Sequence, residues 1–501
     1  MERWTKILVL ALVAVSAARM TPSTVSNTVY STDAWPLLRL AELLQSEPEI
    51  RVLGINSHHA RYPSAVLSSL VYTTVAGVDL YSFYAFMGAP LASLVLAILF
   101  YALLRRYFNA ASSTLGVLGL LVYPSFALFT SAYLKEVYAY TVTLTLLLLV
   151  ATGLRTSSWL LIGLASYSLV LSHPLTSLIV IASTSTFLYI LFIDYVKRGR
   201  PLETREWKVL LAFSTVLGSL YALHARLAGP PVPLDAPDLI VLSIYGFFVY
   251  ASYFAARGGR GGSRVGAGSV ILATLLTLTA ISLYVGLLEG PSVGLNAFFY
   301  ASPLVLLLAG LRVRDERRPP VLGAVLLPLA TGVLYTLSYA RFAAGIVHRF
   351  LNYLAYPIGW CISTASEKKP LLTSVLLLCL LCCSWSAIYA ASTGRDPFTY
   401  YWRYTPRDLV LKKYVEIHVE MVIAASVKYY YLLGGDRVTY SADLAVILSS
   451  CKSGGRPLVF SVEELEYGFP VDPLHYIRPG HDLLTCGGIV YNAGGVYVGV
   501  F

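Results

Sequence analysis

Five residues of this 501-residue chain, Asp33, Lys135, Glu136, Arg341 and Arg349, combine a type that proton transfer or charge neutralisation requires with a place beside a long apolar run. Asp33 stands in Ser31-Thr32-Asp33-Ala34-Trp35-Pro36, Lys135 and Glu136 in Tyr133-Leu134-Lys135-Glu136, and Arg349 in His348-Arg349-Phe350-Leu351, each beside a long apolar run. A carboxylate at a membrane edge can accept the proton of an attacking hydroxyl or ligate a divalent metal such as Mg or Mn. Asp33 and Glu136 are therefore the catalytic candidates, and also the candidate metal ligands. Arginine offers a planar fork to phosphate oxygens, so Arg349 and Arg341 are the candidates for holding a phosphate-bearing ligand, and Lys135 is a further cation that the resemblance described below adds to them. His58, His59 and Glu289 are further candidates.

Each candidate also has a plainer reading. Asp33 could cap the amphipathic helix that follows, which sets Leu37, Leu40, Leu43 and Leu44 on one face. Lys135 and Glu136 could be a solvated pair, the arginines interfacial anchors, and the adjacent histidines exposed loop residues. His173-Pro174 reads as a helix break.

The elements that must position these residues follow from composition. Hydrophobic residues make up 57% of the chain, charged residues 13%, and the mean hydropathy is +0.67, the profile of an α-helical polytopic membrane protein. Apolar runs near 5–20, 82–104, 113–130, 137–154, 158–172, 174–196, 208–225, 238–256, 265–288, 294–311, 320–340, 350–366 and 370–392 predict about thirteen spans. One alternate set of connections carries Arg105 and Arg106, Arg155, Lys197 to Lys208, Arg257 to Arg264, Arg312 to Arg318, and Lys368 and Lys369. The positive-inside bias makes that set cytoplasmic. The N-terminus is then inside, and the first external loop (21–81), residues 131–136 and everything after about 393 lie outside, in an integral plasma-membrane protein. The net charge of +10 is thus an orientation signal, and no nucleic-acid partner is needed to explain it. Ser64 to Gly77, apolar but short, predicts an interfacial or re-entrant helix. Arg3 and Lys6 ahead of Val15-Ser16-Ala17 resemble a cleavable signal segment; cleaved or not, Asp33 stays outside.

Residues 1–392 form the membrane domain, and 393–501 a small extracytoplasmic α/β domain. Thr405-Pro406-Arg407-Asp408 starts a helix, strands and helices then alternate, and Gly488 to Tyr491 with Val496 to Phe501 close a hairpin across Asn492-Ala493-Gly494-Gly495. Cys361, Cys379, Cys382 and Cys383 sit in spans as packing residues, while Cys451 and Cys486 are the disulfide candidate. The linker Arg257-Gly258-Gly259-Arg260-Gly261-Gly262-Ser263-Arg264 has neither the preceding strand nor the following Lys-Ser/Thr of a phosphate loop.

The order of these features carries a resemblance. An early outer-loop acid followed by Trp35 and an amphipathic helix, Arg61-Tyr62-Pro63 before a short apolar helix, a span closing on Arg105-Arg106, then Leu134-Lys135-Glu136 and late His348-Arg349-Phe350-Leu351 together resemble the GT-C integral-membrane glycosyltransferases. Within that superfamily the chain is distantly similar to oligosaccharyltransferases and protein mannosyltransferases, although the Trp-Trp-Asp signature of the former is absent. The resemblance implies a polyprenyl-(pyro)phosphate sugar donor, a glycan, lipid or protein acceptor, and transfer on the outer face with inversion. It also implies that Asp33 is the catalytic or metal-binding acid. The competing classes are a polytopic transporter or lipid flippase, which needs charges or broken helices at mid-membrane, and a noncatalytic membrane assembly protein that binds through its C-terminal domain.

Overall fold

The computed structural model describes residues 2–500 apart from 48, 50–51, 53–54, 56, 152–157, 199–203, 230–234, 259–320, 339–346, 395–398, 435–437, 440–441, 451–455, 473–474, 481 and 487. The membrane part comprises α1 (Glu2–Ser26), α2 (Ala34–Ser46), α3 (Ser64–Ala76), α4 (Leu80–Leu104, whose Phe83–Met87 turn is π-helical), α5 (Ala110–Leu121), α6 (Pro124–Phe129), α7 (Lys135–Ala151) and α8 (Ser158–Val170). It continues with α9 (Pro174–Arg198), α10 (Thr204–Ala228), α11 (Ala236–Gly258), α12 (Val321–Ser338), α13 (Val347–Tyr353), α14 (Ala355–Lys368) and α15 (Pro370–Thr393).

Six helices among the described residues are long and apolar enough to cross a membrane: Lys6–Ser26, Leu80–Leu104, Pro174–Val196, Lys208–Ala228, Ala236–Phe254 and Thr373–Thr393. The difference from thirteen is explained in part. The runs 265–288 and 294–311 lie outside the described residues. The run 113–130 is two helices, because the chain turns extended at Tyr123 and restarts with Pro124 at the head of α6, a residue with no N–H to continue a ladder. The run 350–366 falls in two helical segments, α13 and α14, that meet at Leu354, whose backbone stays helical at φ −66° and ψ −16°. Apolar length records what the bilayer tolerates and does not register a break such as the one at Tyr123.

The end of α5 has a compensating charge. Arg19, only 1% exposed on α1, donates from Nη2 to the carbonyl of Leu121 at 2.6 Å, satisfying one of the acceptors that a helix C-terminus leaves open. Beside it α5 packs on α14 through glycines: a Cβ at Gly116 would come within 2.7 Å of the Gly359 carbonyl, and one at Gly359 within 2.6 Å of Phe100. Small residues let the two backbones approach where the bilayer gives no hydrophobic drive. α3 stops at Gly77, whose φ of +65° is the left-handed cap glycine takes without strain.

The C-terminal region contains α16 (Pro406–His418), β1 (Ile423–Ala425), α17 (Val427–Leu433), β2 (Val438–Thr439), α18 (Ala442–Ser450), β3 (Pro457–Ser461), α19 (Val462–Tyr467), β4 (Phe469–Asp472), β5 (His475–Ile477), α20 (Leu483–Cys486), β6 (Gly488–Asn492) and β7 (Val496–Val500). One sheet runs in the order β2-β1-β3-β7-β6, parallel across β2, β1 and β3 and antiparallel from β3 through β7 to β6. The sequence pattern suggests a parallel sheet closed by a hairpin. The sheet is mixed because the closing hairpin adds its second strand, β7, directly against β3. Cys451 and the side chain of Cys486 lie outside the described residues, and with them the disulfide candidate.

This region grips the segment that carries Asp33. Ser31 N–H donates to the Trp402 carbonyl at 2.9 Å, Thr28 Oγ1 to the Tyr404 carbonyl at 2.8 Å, and Arg39 Nη2 to the Tyr431 carbonyl at 2.8 Å. Trp35 meets Tyr404 edge to face at 5.4 Å. Ser31 adopts φ +82°, a conformation that costs a non-glycine residue on the order of 1 kcal/mol or more and persists only where the surroundings impose it.

Candidate functional site

Asp33 occupies the N-cap position of α2, but its side chain makes no capping bond. It turns instead to Arg349 on α13, whose Nη2 donates to Asp33 Oδ2 at 3.1 Å. The same guanidinium donates from Nη1 to Glu136 Oε1 at 2.9 Å. One arginine therefore joins two acids that lie 316 and 213 residues away in sequence. Glu136, in the first turn of α7, is 3% exposed, whereas Asp33 and Arg349 are 30% and 24% exposed, so the cluster opens on the Asp33 side. Burial works against charge on Arg349, and Glu136 and Asp33 outweigh it, holding the guanidinium above its usual range.

Behind Glu136 runs a line of hydrogen bonds that the sequence does not announce. His173 Nε2 is 2.9 Å from Glu136 Oε1, His173 Nδ1 lies 2.9 Å from Thr176 Oγ1, and Thr176 Oγ1 lies 2.7 Å from the Tyr353 hydroxyl. Read only as a helix break, His173 escapes notice, although an ionisable residue at the apolar boundary of two spans is itself a signal of function. Tyr140, one turn beyond Glu136 on α7, meets the Tyr353 ring at 5.4 Å. Its hydroxyl and the Tyr356 hydroxyl are buried without a partner among the described residues.

Lys135 is buried at 9% exposure and makes no hydrogen bond or ion pair among the described residues; its Nζ lies 5.5 Å from the centre of the Tyr62 ring. At the head of α7, ahead of the apolar part of the helix, it is pushed down to about 8, by burial first and then by Arg349, with Asp33 and Glu136 opposing. Among the described residues two carboxylates face Arg349 and Lys135, and of these two cations only the arginine is bonded.

His58 and His59 stand on the far side of Tyr62. The His58 ring is 5.3 Å from Tyr62 and 5.8 Å from His59, and Tyr62 is 5.3 Å from His224 of α10. Burial, then Lys135, hold His59 well below its usual range, so it is neutral. No hydrogen bond connects either histidine with Asp33 or Glu136 among the described residues. The structure thus brings Asp33, Lys135, Glu136 and Arg349 together and sets the two histidines beside them. Arg341 and Glu289 lie outside the described residues.

The donor set suits an arginine better than a divalent cation. Asp33 Oδ2 and Glu136 Oε1 each already accept from the guanidinium, and no group of three or more His, Cys, Asp or Glu side chains that could hold a metal is found among the described residues. A hard cation would need more oxygen ligands than these two acids supply.

No family model and no curated protein matches the chain. Among solved structures it is similar to the apo form of the Archaeoglobus fulgidus oligosaccharyltransferase, at 12% identity over 98% of this chain and 74% of that one, with a TM-score of 0.47. A likeness at that level says nothing about individual residues.

Proposed function

We propose that this chain is a membrane glycosyltransferase that moves a sugar from a polyprenyl-(pyro)phosphate donor to an acceptor hydroxyl at the outer face of the membrane, with inversion. The observation that carries the reading is the bridge Asp33–Arg349–Glu136 with an unbonded, buried Lys135 beside it. Two acids and two cations from distant parts of the sequence, gathered at the membrane edge, suit a reaction in which a proton leaves one partner while negative charge grows on the other.

Asp33 Oδ1, which makes no hydrogen bond among the described residues, takes the acceptor proton as the acceptor oxygen forms its bond to the anomeric carbon. The bond from that carbon to the phosphate oxygen breaks, and the phosphate leaves with the electron pair. Arg349, whose Nε–H is buried and has no partner among the described residues, and Lys135 neutralise it. A single displacement inverts the anomeric centre. An open groove of about 560 Å³ between α3 and α7, lined by Leu67, Val71, Val75 and Tyr138 among others, begins one turn from Lys135 and suits an apolar chain attached to that phosphate.

The test is incubation of purified protein with radiolabelled polyprenyl-phosphate and polyprenyl-diphosphate sugars and a mixture of glycan, lipid and peptide acceptors. Transfer by the wild type, abolished in Asp33→Ala with an unchanged melting temperature, is the expected result. Movement of intact donor across a vesicle membrane without sugar release would put a flippase in its place.

A further inference from the structure

We propose that His173 is the positioning residue of this site: it holds Glu136 ionised and fixed on Arg349, and so leaves Asp33 as the carboxylate that deals with substrate. The inference rests on the glycosyltransferase reading and adds to it a division of labour between the two acids.

His173 stands at a helix end. It immediately precedes α9, which opens with Pro174, and the N–H of Thr176 donates to His173 Nδ1 at 3.2 Å. His173 is thus an N-cap that accepts one of the donors a helix leaves open in its first turn. A backbone N–H cannot rotate or give up its proton to reverse the bond, so Nδ1 is obliged to accept. The remaining ring nitrogen must then carry the hydrogen in the neutral imidazole. The atom that carries it, Nε2, lies 2.9 Å from Glu136 Oε1. With Nδ1 accepting, the Thr176 hydroxyl donates to the ring and the Tyr353 hydroxyl donates to Thr176, across 2.9 Å and 2.7 Å. Every proton in the line points toward Glu136.

Glu136 therefore accepts two charge-relevant hydrogen bonds on one oxygen, from His173 and from Arg349, and both favour its ionised form. The groups facing His173 are Lys135 and Glu136 from α7, Arg349 and Tyr353 from α13, and Thr176 from its own helix; burial disfavours a second proton on the ring, Glu136 favours it, and Lys135 and Arg349 oppose it, the balance lying below the usual histidine range. Among the described residues Asp33 has only the Arg349 bond, and it is ten times as exposed as Glu136, 30% against 3%. When a phosphate engages the guanidinium, the Asp33 bond is the one free to lengthen.

His173→Asn keeps a good N-cap but is too short to reach Glu136, so it separates the role in the site from the role in folding. The expected result is a stable protein, by melting in detergent, with kcat about tenfold to a hundredfold lower, donor KM nearly unchanged, and the acidic limb of the kcat profile moved to higher pH. His173→Gln, whose amide can still donate to Glu136, should recover part of the loss. Wild-type kcat and an unmoved acidic limb in His173→Asn would overturn the proposal while leaving the glycosyltransferase reading intact. If the wild type transfers no sugar from any donor, that reading fails, and the ¹⁵N spectrum of the histidine rings then decides the proposal: a neutral Nε2–H ring at residue 173 from about pH 5 to 8 sustains it. A ring that gains charge over that interval, or carries its hydrogen on Nδ1, refutes it.

Discussion

Among the described residues two lysines are buried beside carboxylates, and the contrast between them separates a scaffold from a site. Lys428, at the start of α17, lies 3.1 Å from Asp408 Oδ1. The same carboxylate accepts from the Tyr429 hydroxyl at 2.7 Å and, on Oδ2, from Thr405 N–H and Oγ1 at 2.7 and 2.8 Å. Burial opposes the charge of Lys428, Asp408, Glu463 and Glu464 together outweigh it, and the ammonium is held above its ordinary range. Lys135 is nearly as buried, yet the acids near it are bonded to Arg349, and it is pushed down to about 8. A closed network stabilises one conformation; a charge left open at a membrane edge can still bind something.

The sharpest way to break this comparison is through the acids. Asp33→Asn should lower sugar transfer about a hundredfold to ten-thousandfold with little change in melting, because the side chain caps nothing; Asp408→Asn should do the reverse, unfolding the C-terminal region at lower temperature. Next come the lysines. Lys135→Met should cost about a hundredfold to a thousandfold in kcat while the melting temperature holds or rises, since an unpaired buried charge is removed. Lys428→Met, which strands Asp408 in the interior, should destabilise by about 3–5 kcal/mol and leave the activity per folded molecule unchanged. Equal stability losses in the two variants would erase the distinction.

Two pH measurements sharpen it further. With Lys135 near 8, kcat should fall as pH rises through about 8 and the cation is lost, and Lys135→Arg should move that limb upward. The smallest effect lies in the scaffold. Burial pushes Glu464 up from 4.5 to about 7 against the pull of Lys428. A carboxyl that binds its proton more tightly when folded is most stabilising below the lower value, so stability should decline between about pH 4.5 and 7 and then level off. Thermal melts of Glu464→Gln should lack that decline.

Much of the site was legible as position. Asp33, Lys135, Glu136 and Arg349 stand out because charge is scarce in this sequence and each flanks an apolar run. His173 was hidden by Pro174, which already explains a helix start, and its link to Glu136 depends on a contact between α7 and α9 that no spacing reveals. In the C-terminal region the Thr405 and Asp408 capping box was readable from its residue types and forms. The equivalent Ser461 and Glu464 box opening α19 was overlooked because its serine also ends a strand. How the apolar runs divide into helices was least legible, because run length alone does not show that the chain restarts at Pro124.

The Arg19 contact with the Leu121 carbonyl has a consequence for biogenesis. While the ribosome has made only the first helix, a guanidinium faces hydrocarbon with no acceptor of its own, and the residues that will receive it are about a hundred codons away. The nascent segment should therefore sit shallow or wait beside the translocon, and seat at full depth only once the halted fifth helix arrives to receive it.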